Sequence, residues 1–589
     1  MPRLEDLGLI GNCQISALIS HSGEIVWCCL PRLDSEPVFS TLLDADKGGR
    51  FLVGPAGGET GIQQYVPNTN VLETRFETPE GKFRLIDFAP RYGEADRFVR
   101  PKHIIRILEP IEGKPRVRVV CEPRRGWSHG KAARVQGARH LRFRGYSFPL
   151  RLTTDVPLSE VGQDSFELTE RRHLVLSWGA PPTESLPTMC NRMLDETVEY
   201  WRRWVKHCNI PPLFQQEVIR SALVLKLHCF EDTGAIVAAT TTSIPESPGS
   251  GRTWDYRYCW LRDSAYVLNA LRLLGHFEER ERFVHYLLNV VADNPSLDLA
   301  PLYRVDGTSD IEEHILEDWP GYLGEKPVRI GNAAVAHRQN DIFGEMVLAL
   351  APVMLDERFV GEQTEETLSL LELLAEKAIS VAGTPDAGIW EYRSEWKPQT
   401  FSSLMCWAGA DRMARVAKRH RPQRAEYYIA EAERIRKEII DSAWSTKLKS
   451  FVGTYGSQDL DAALLQIAPL HFLPSTDPRV KSTIDAIIKK LARGGWLFRY
   501  STDDGFGPPT VAFILCTFWL VEAVATLGRF DEAAALFERA RSALSPLGLL
   551  AEDYETSNLR MWGNFPQAYS HVGLIHAAFS ASPGWTNLL

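Results

Sequence analysis

The sequence predicts two parts of different structural class, an N-terminal antiparallel β-sandwich and a C-terminal toroid of helical hairpins, joined by one helix. Three observations carry this reading. The 589 residues exceed a single hydrophobic core. Up to about residue 190, short alternating or β-branched runs lie between turn residues. From Pro212 onward the apolar residues recur with helical spacing almost throughout.

The strand-like runs are Gln14–Ile19, Gly23–Trp27, His103–Leu108, Arg116–Val120, Leu141–Phe143 and His173–Trp178, separated by turns such as His21-Ser22-Gly23 and Glu112-Gly113-Lys114-Pro115. Thr188 to His207 reads as an amphipathic helix, with Met193, Leu194, Val198, Trp201 and Val205 near one face. The helical part offers Leu213–Phe230, Ser264–Leu274, Glu278–Asp293, Ala333–Met354, Glu366–Val381, Phe401–His420, Arg424–Ala443, Val480–Leu491, Ala512–Leu527, Asp531–Ser542 and Phe565–Phe579, with Gly, Pro and Asp at their ends. The chain therefore divides at 1–187, 188–211 and 212–589. The motif-like segments fall in loops or at helix starts, where an active-site funnel at one end of a helical barrel is assembled.

Composition excludes several classes of function. A formal net charge of −9 argues against nucleic-acid binding. There is no apolar run of membrane-spanning length. Met1-Pro2-Arg3-Leu4-Glu5-Asp6 lacks the basic and apolar regions of a signal peptide, so the expectation is a cytoplasmic protein, monomeric or homodimeric. The 10 Cys are scattered without a Cys-x-x-Cys pair and read as reduced core thiols. The 15 His form no ligand-like cluster, Glu312-Glu313 reads as a solvated helix face, and neither a metal site nor a cofactor is expected. Gly249-Ser250-Gly251 is not a phosphate loop, and Ser570-His571 lacks the Gly-x-Ser-x-Gly elbow of a hydrolase triad.

Two acidic residues stand out. Glu391 ends Gly388-Ile389-Trp390-Glu391, and Glu552 ends Leu549-Leu550-Ala551-Glu552. A carboxyl beside an indole or an aliphatic pair is partly desolvated, which raises its pKa toward neutrality. Two such carboxyls facing one cleft are the minimum equipment for cleaving a glycosidic bond. Most of the 75 Asp and Glu residues are solvated surface charges, so the surroundings of these two are what single them out. The segment Trp254-Asp255-Tyr256-Arg257-Tyr258-Cys259-Trp260-Leu261-Arg262-Asp263-Ser264 has two readings. One is a helix-capping segment with an internal salt bridge. The other is a sugar cradle in which Arg262 and Asp263 grip hydroxyls and Tyr256, Tyr258 and Trp260 form a wall. Arg499, in Trp496-Leu497-Phe498-Arg499-Tyr500, is read either as a sugar contact or as the partner of Asp503 or Asp504.

Taken in order, Leu9-Ile10-Gly11-Asn12-Cys13, Gly251 to Asp263, Pro327-Val328-Arg329-Ile330-Gly331-Asn332-Ala333-Ala334, Gly388-Ile389-Trp390-Glu391, Leu515-Cys516-Thr517-Phe518-Trp519-Leu520 and Gly563-Asn564-Phe565-Pro566-Gln567-Ala568-Tyr569-Ser570-His571 resemble glycoside hydrolase family 15, the glucoamylase-type family, in its bacterial branch. The resemblance implies an N-terminal β-sandwich, a linker helix and an (α/α)6 barrel. It implies Glu391 as general acid and Glu552 as general base of an inverting exo-acting α-glucoside hydrolase. It implies Arg262, Asp263 and Arg499 as holders of the terminal glucose, Trp390 as lining the adjoining subsite, and Tyr256 as close to the acting water. Trp260 and Arg393 join these as substrate contacts. The favoured substrate is a small α-gluco-oligosaccharide, with α,α-trehalose or an isomaltose-type sugar as the alternative. A phosphorylase, in which phosphate replaces the base, is disfavoured by the presence of Glu552, and a non-catalytic sugar-binding protein by the presence of both carboxyls. Two stretches depart from the family pattern, Pro508-Pro509-Thr510-Val511 and His337-Arg338-Gln339, and both bear on which disaccharide fits.

Overall fold

A computed structural model describes residues 1–587 other than 96, 164, 183 and 394; the end of the third predicted segment, 588–589, lies outside it. The N-terminal part is built from two antiparallel sheets. The seven-stranded sheet runs in space Leu7–Gly11, Ser16–Ser20, Glu24–Cys29, Arg50–Pro55, Arg116–Glu122 and Phe166–Glu167, with Pro37–Phe39 paired onto Glu24–Cys29. The eight-stranded sheet runs Ala133–Gln136, His140–Arg144, Leu150–Thr154, Arg172–Trp178, His103–Gly113, Gly81–Phe88, Leu72–Thr78 and Ile62–Tyr65. Each predicted strand run falls on an observed strand. The buried Arg106 ties the sheets together: it pairs with Asp87 at 2.7 Å in its own sheet and donates to the Phe51 and Gly23 carbonyls of the other.

Helix α1 (Leu186–Lys206) follows and does more than connect. Its N-terminal half lays Met189, Cys190 and Met193 onto Val71, Ile86, Ile105, Ile107 and Val175 of the eight-stranded sheet. Its C-terminal half sends Trp201, Trp204 and Val205 into the main core. One amphipathic helix thus covers the sheet face that would otherwise meet water and joins both parts of the chain.

Among the described residues eleven further helices follow: α2 (Gln215–His228), α3 (Leu261–Leu273), α4 (Glu278–Ala292), α5 (Asp341–Leu355), α6 (Glu365–Val381), α7 (Thr400–His420), α8 (Pro422–Ala443), α9 (Pro478–Leu491), α10 (Ile514–Thr526), α11 (Phe530–Arg541) and α12 (Ala568–Ala581). Packing closes a ring in which α3 meets α5, α5 meets α7, α7 meets the short 3-10 helix Ala462–Ile467, that segment meets α10, α10 meets α12, and α12 returns to α3. The other six helices pack outside it, which gives the (α/α)6 barrel. Sequence explains part of the division: the inner helices α5, α10 and α12 are apolar almost all round, whereas the outer α8, α9 and α11 bury a single stripe; the inner α3 and α7 keep charged positions. The α5–α7 contact is close enough to require glycine, since a Cβ on Gly344 would stand 2.0 Å from the Met405 carbonyl oxygen.

Two predicted elements differ. Ala333–Met354 is not one helix: Ala333–Ala336 forms a 3-10 turn and α5 begins only at Asp341. The Asn332 side chain caps the turn at the Ala334 amide, and residues 337–340 bend across the barrel mouth instead of continuing the helix. The sixth inner-ring element, Ala462–Ile467, is too short to show a period and was not expected. All ten cysteines are free, nine of them buried, as expected for core thiols.

Candidate active site

The pocket lies where the inner ring begins. Arg262 and Asp263 sit in the first turn of α3, residues 389–393 precede α7, Phe513 precedes α10, and Gln567 and Tyr569 flank the start of α12. The N-terminal ends of at least four inner elements therefore face one cavity of about 860 Å³, its mouth included. Nine of the ten residues singled out from sequence line it: Glu391, Glu552, Tyr256, Trp260, Arg262, Asp263, Trp390, Arg393 and Arg499, with Tyr258 the exception.

The two carboxyls are held differently. Glu391 sits at φ 58°, a left-handed conformation that is uncommon for a non-glycine residue. Its Oε1 accepts from the Trp260 indole (2.7 Å), Arg262 (3.1 Å) and the Gln339 amide (3.1 Å). With three donors on Oε1, Oε2 is the oxygen left to carry a transferable proton. Glu552 is 2% exposed, against 23% for the Glu391 side chain. Its Oε1 accepts from the Tyr256 hydroxyl at 2.8 Å, and its Oε2 has no hydrogen-bond partner among the described residues. Burial first, then the charge of Glu246, pushes Glu552 up to about 8, while Arg499 and the Tyr256 hydroxyl pull the other way. The rings of Tyr256 and Trp260 meet edge to face at 5.4 Å. Two residues four apart in sequence thus bridge carboxyls that come from positions 391 and 552.

The niche around Glu391 is not the one expected. Its chain neighbour Trp390 turns its indole N–H to Asp461 at 2.9 Å, and the indole that meets Glu391 is Trp260. The more desolvated carboxyl is Glu552, not Glu391. Tyr258, expected in the sugar wall, faces a separate groove toward the β-sandwich: the chain bends at Tyr258, between the strands Thr253–Asp255 and Cys259–Trp260, and this breaks the alternation that would have kept it on the side of Tyr256 and Trp260. Neither Asp263 nor Ser264 caps α3. Trp260 occupies the N-cap, and the Ser264 hydroxyl donates back to the Trp260 carbonyl. The two Arg-Asp pairs of the motif separate by role. Arg257 and Asp255 form a buried pair at 2.6 Å that also reaches the Ser35 carbonyl of the sandwich, whereas Arg262 and Asp263 line the pocket.

Arg262 is anchored from beneath by Asp341 (3.0 Å) and by the Gln339 carbonyl oxygen (2.5 Å). Burial raises Asp263 to about 7 against the pull of Arg262. Arg499 pairs with Glu246, not with Asp503 or Asp504; Asp504 is taken by Arg252 and Tyr500. Arg393 binds Glu313 at 2.8 Å and stacks over Trp254 at 4.3 Å. Glu313, expected on a solvated helix face with Glu312, lies outside any helix and is half-buried. The Ser570-His571 pair is structural: His571 accepts from the Leu550 amide and contacts the Ser221 hydroxyl in the core.

Sequence reasoning missed Glu246, Arg252, Gln339 and Asp504. For Gln339 a signal existed in the atypical His337-Arg338-Gln339 stretch. For Arg252 and Asp504 only the nearby Trp254 and Tyr500 marked the place, and for Glu246 no local signal existed. Among the described residues no group of His, Cys, Asp and Glu is arranged to hold a metal ion, and no helix is long and apolar enough to cross a membrane.

Paired carboxyls in a cavity of cationic and aromatic side chains, at the mouth of an (α/α)6 barrel, define a glycoside hydrolase. The sequence model of glycosyl hydrolases family 15 matches residues 213–579, and that of the trehalase-like N-terminal domain matches residues 1–175. The chain belongs to glycoside hydrolase family 15. It is 33% identical to a trehalase of Mycobacterium tuberculosis over 98% of its own length and 89% of the relative's. It is 32% identical to a trehalase of Thermoplasma volcanium over 98% and 93%, and 30% identical to trehalase 1 of Sulfolobus acidocaldarius over 98% of each. A crystal structure of a bacterial glucoamylase complexed with acarbose shares the fold, with a TM-score of 0.69 over 98% of this chain and 94% of that one, at 16% identity.

Proposed function

We propose that this glycoside hydrolase is an inverting α,α-trehalase, with Glu391 as general acid and Glu552 as general base. What carries the reading is the joint occurrence of near-full-length similarity to several trehalases and two carboxyls facing one cavity. The relatives move the reading from the glucoamylase-like activity that the sequence favours to its trehalose alternative.

In this mechanism one glucose of trehalose sits deep, against Arg262 and Asp263, and the other lies toward the mouth. Glu391 donates from Oε2 to the bridging oxygen, while Trp260, Arg262 and Gln339 keep Oε1 fixed. Glu552, once ionised, uses Oε2 to take a proton from a water that attacks the deep anomeric carbon from the opposite face. The Tyr256 hydroxyl holds Oε1 and orients the carboxylate. A water must fit between the two groups, which calls for carboxyls roughly 6.5–9.5 Å apart. Glu552 must lose its proton before it can act, so activity rises with pH on the acid side.

The test is a panel of trehalose, maltose, isomaltose, nigerose and kojibiose assayed for glucose release. The reading expects the highest kcat/KM for trehalose. A preference for maltose or isomaltose would overturn it and restore the glucoamylase-like assignment.

A further inference from the structure

The deep end and the mouth of the pocket are built from different materials. At the deep end Arg262 and Asp263 are buried polar groups. At the mouth stand Arg393, one-third exposed, and Phe506, 39% exposed. Phe506 sits on the loop between the strands Trp496–Leu497 and Ala512–Phe513, and its ring meets Trp254 edge to face at 5.5 Å. Trp254 is itself fixed. Its indole donates to Glu246 at 2.9 Å, and the Arg393 and Arg329 guanidiniums lie over its ring at 4.3 and 4.6 Å.

The loop is tied to the Trp254 segment by a fork. Arg252 donates to both oxygens of Asp504, at 2.7 and 2.6 Å, and to the Gly507 carbonyl at 2.6 Å. Asp504 also accepts from the Tyr500 hydroxyl and from the Phe506 amide, the latter at 3.0 Å. The Asp503 carboxylate accepts from the Gly505 and Gly507 amides, which shapes the tip. Arg252 and the Asp504 side chain are nine-tenths buried. Opening such a pair leaves an uncompensated buried charge, so the tie holds the loop firmly.

We propose that the Arg252–Asp504 fork pins Phe506 against Trp254 as the outer wall of the site and limits the substrate to two sugars. The wall rests on the reading of this pocket as a glucoside-binding site, and it deepens that reading by assigning chain length to named residues. Phe506 presents an exposed ring to the outer sugar, and the pinned loop leaves no path for a third.

The test compares trehalose with a trisaccharide made of trehalose lengthened by one α-1,4-linked glucose. The longer sugar offers the same free glucose to Arg262 and Asp263 and differs only on the leaving side. Maltose and maltotriose are run in parallel. The wild-type protein is expected to show a kcat/KM for the trisaccharide lower than for trehalose by on the order of 100-fold, the scale of steric discrimination in a shaped pocket. Phe506→Ala and Asp504→Asn are each expected to raise the trisaccharide-to-trehalose ratio by about tenfold or more. Phe506→Ala removes the wall while leaving the fork, so it reads the proposal even where Asp504→Asn weakens folding. A wild-type protein that takes both sugars within about twofold, or a Phe506→Ala ratio within about twofold of wild type, overturns the wall. If maltose is cleaved and trehalose is not, the trehalase assignment falls, and the maltotriose-to-maltose ratio in the same variants decides the wall by itself.

Discussion

Glu391 and Glu552 line one pocket, yet their surroundings are opposites. Glu391 is partly exposed, in a left-handed turn, with three N–H donors on one oxygen. Glu552 is buried, with a single hydroxyl donor and Glu246 nearby. The difference teaches that fixation and desolvation are supplied separately. The partly exposed carboxyl is positioned by N–H groups from α3 and from the bend before α5. The buried one is tuned by what surrounds it.

Removing either carboxyl should have the largest effect. Glu391→Gln and Glu552→Gln are each expected to lower kcat by on the order of 10²–10⁴-fold, the usual contribution of a positioned acid or base. Near-full activity in either variant would break the assignment of that residue. Next come the groups that hold them. Gln339→Leu takes one donor from Glu391 Oε1 and one acceptor from Arg262, and should lower kcat by about ten- to a hundredfold with little change in KM. Tyr256→Phe removes the one donor to the Glu552 carboxylate among the described residues and should cost about tenfold in kcat. If the two variants instead raise KM alone, the residues bind substrate and do not position the carboxyls.

The smallest expected effect is a shift of the pH profile. Glu246 is the second-largest cause of the raised Glu552 pKa, after burial. Its negative charge disfavours ionised Glu552, so Glu246→Gln should let Glu552 lose its proton at lower pH. The acid limb of kcat/KM, which reports the free enzyme, is expected to move toward lower pH than in wild type. Unbalancing the Arg499 charge acts in the same direction, so movement toward higher pH would contradict Glu246 as a cause of the raised Glu552 pKa.

Much of the fold was legible because it rests on local periodicity. The strand runs and α1 each carry their own apolar pattern. The nine pocket residues were legible too, eight of them from three short segments rich in aromatic and charged side chains. What could not be read was pairing. Arg499 finds Glu246, 253 positions away, when Asp503 and Asp504 lie close by in sequence. Arg252 takes Asp504 across 252 positions. Gln339 was hidden inside a predicted helix because Ala333–Met354 keeps helical spacing while the Asn332 cap closes a short turn that ends before α5. Tertiary contacts that cross the barrel mouth decide these partners, and no local pattern encodes them.

The most direct test of the paired-carboxyl account is proton NMR of the glucose released in the first moments of trehalose hydrolysis. Attack by water from the face opposite the bridging oxygen inverts the deep sugar to β-glucose, while the leaving sugar keeps its α configuration. The account therefore predicts α- and β-glucose in equal amounts before mutarotation. Early release of α-glucose alone would mean retention at the attacked carbon and would contradict Glu391 and Glu552 acting as acid and base on opposite sides of one sugar.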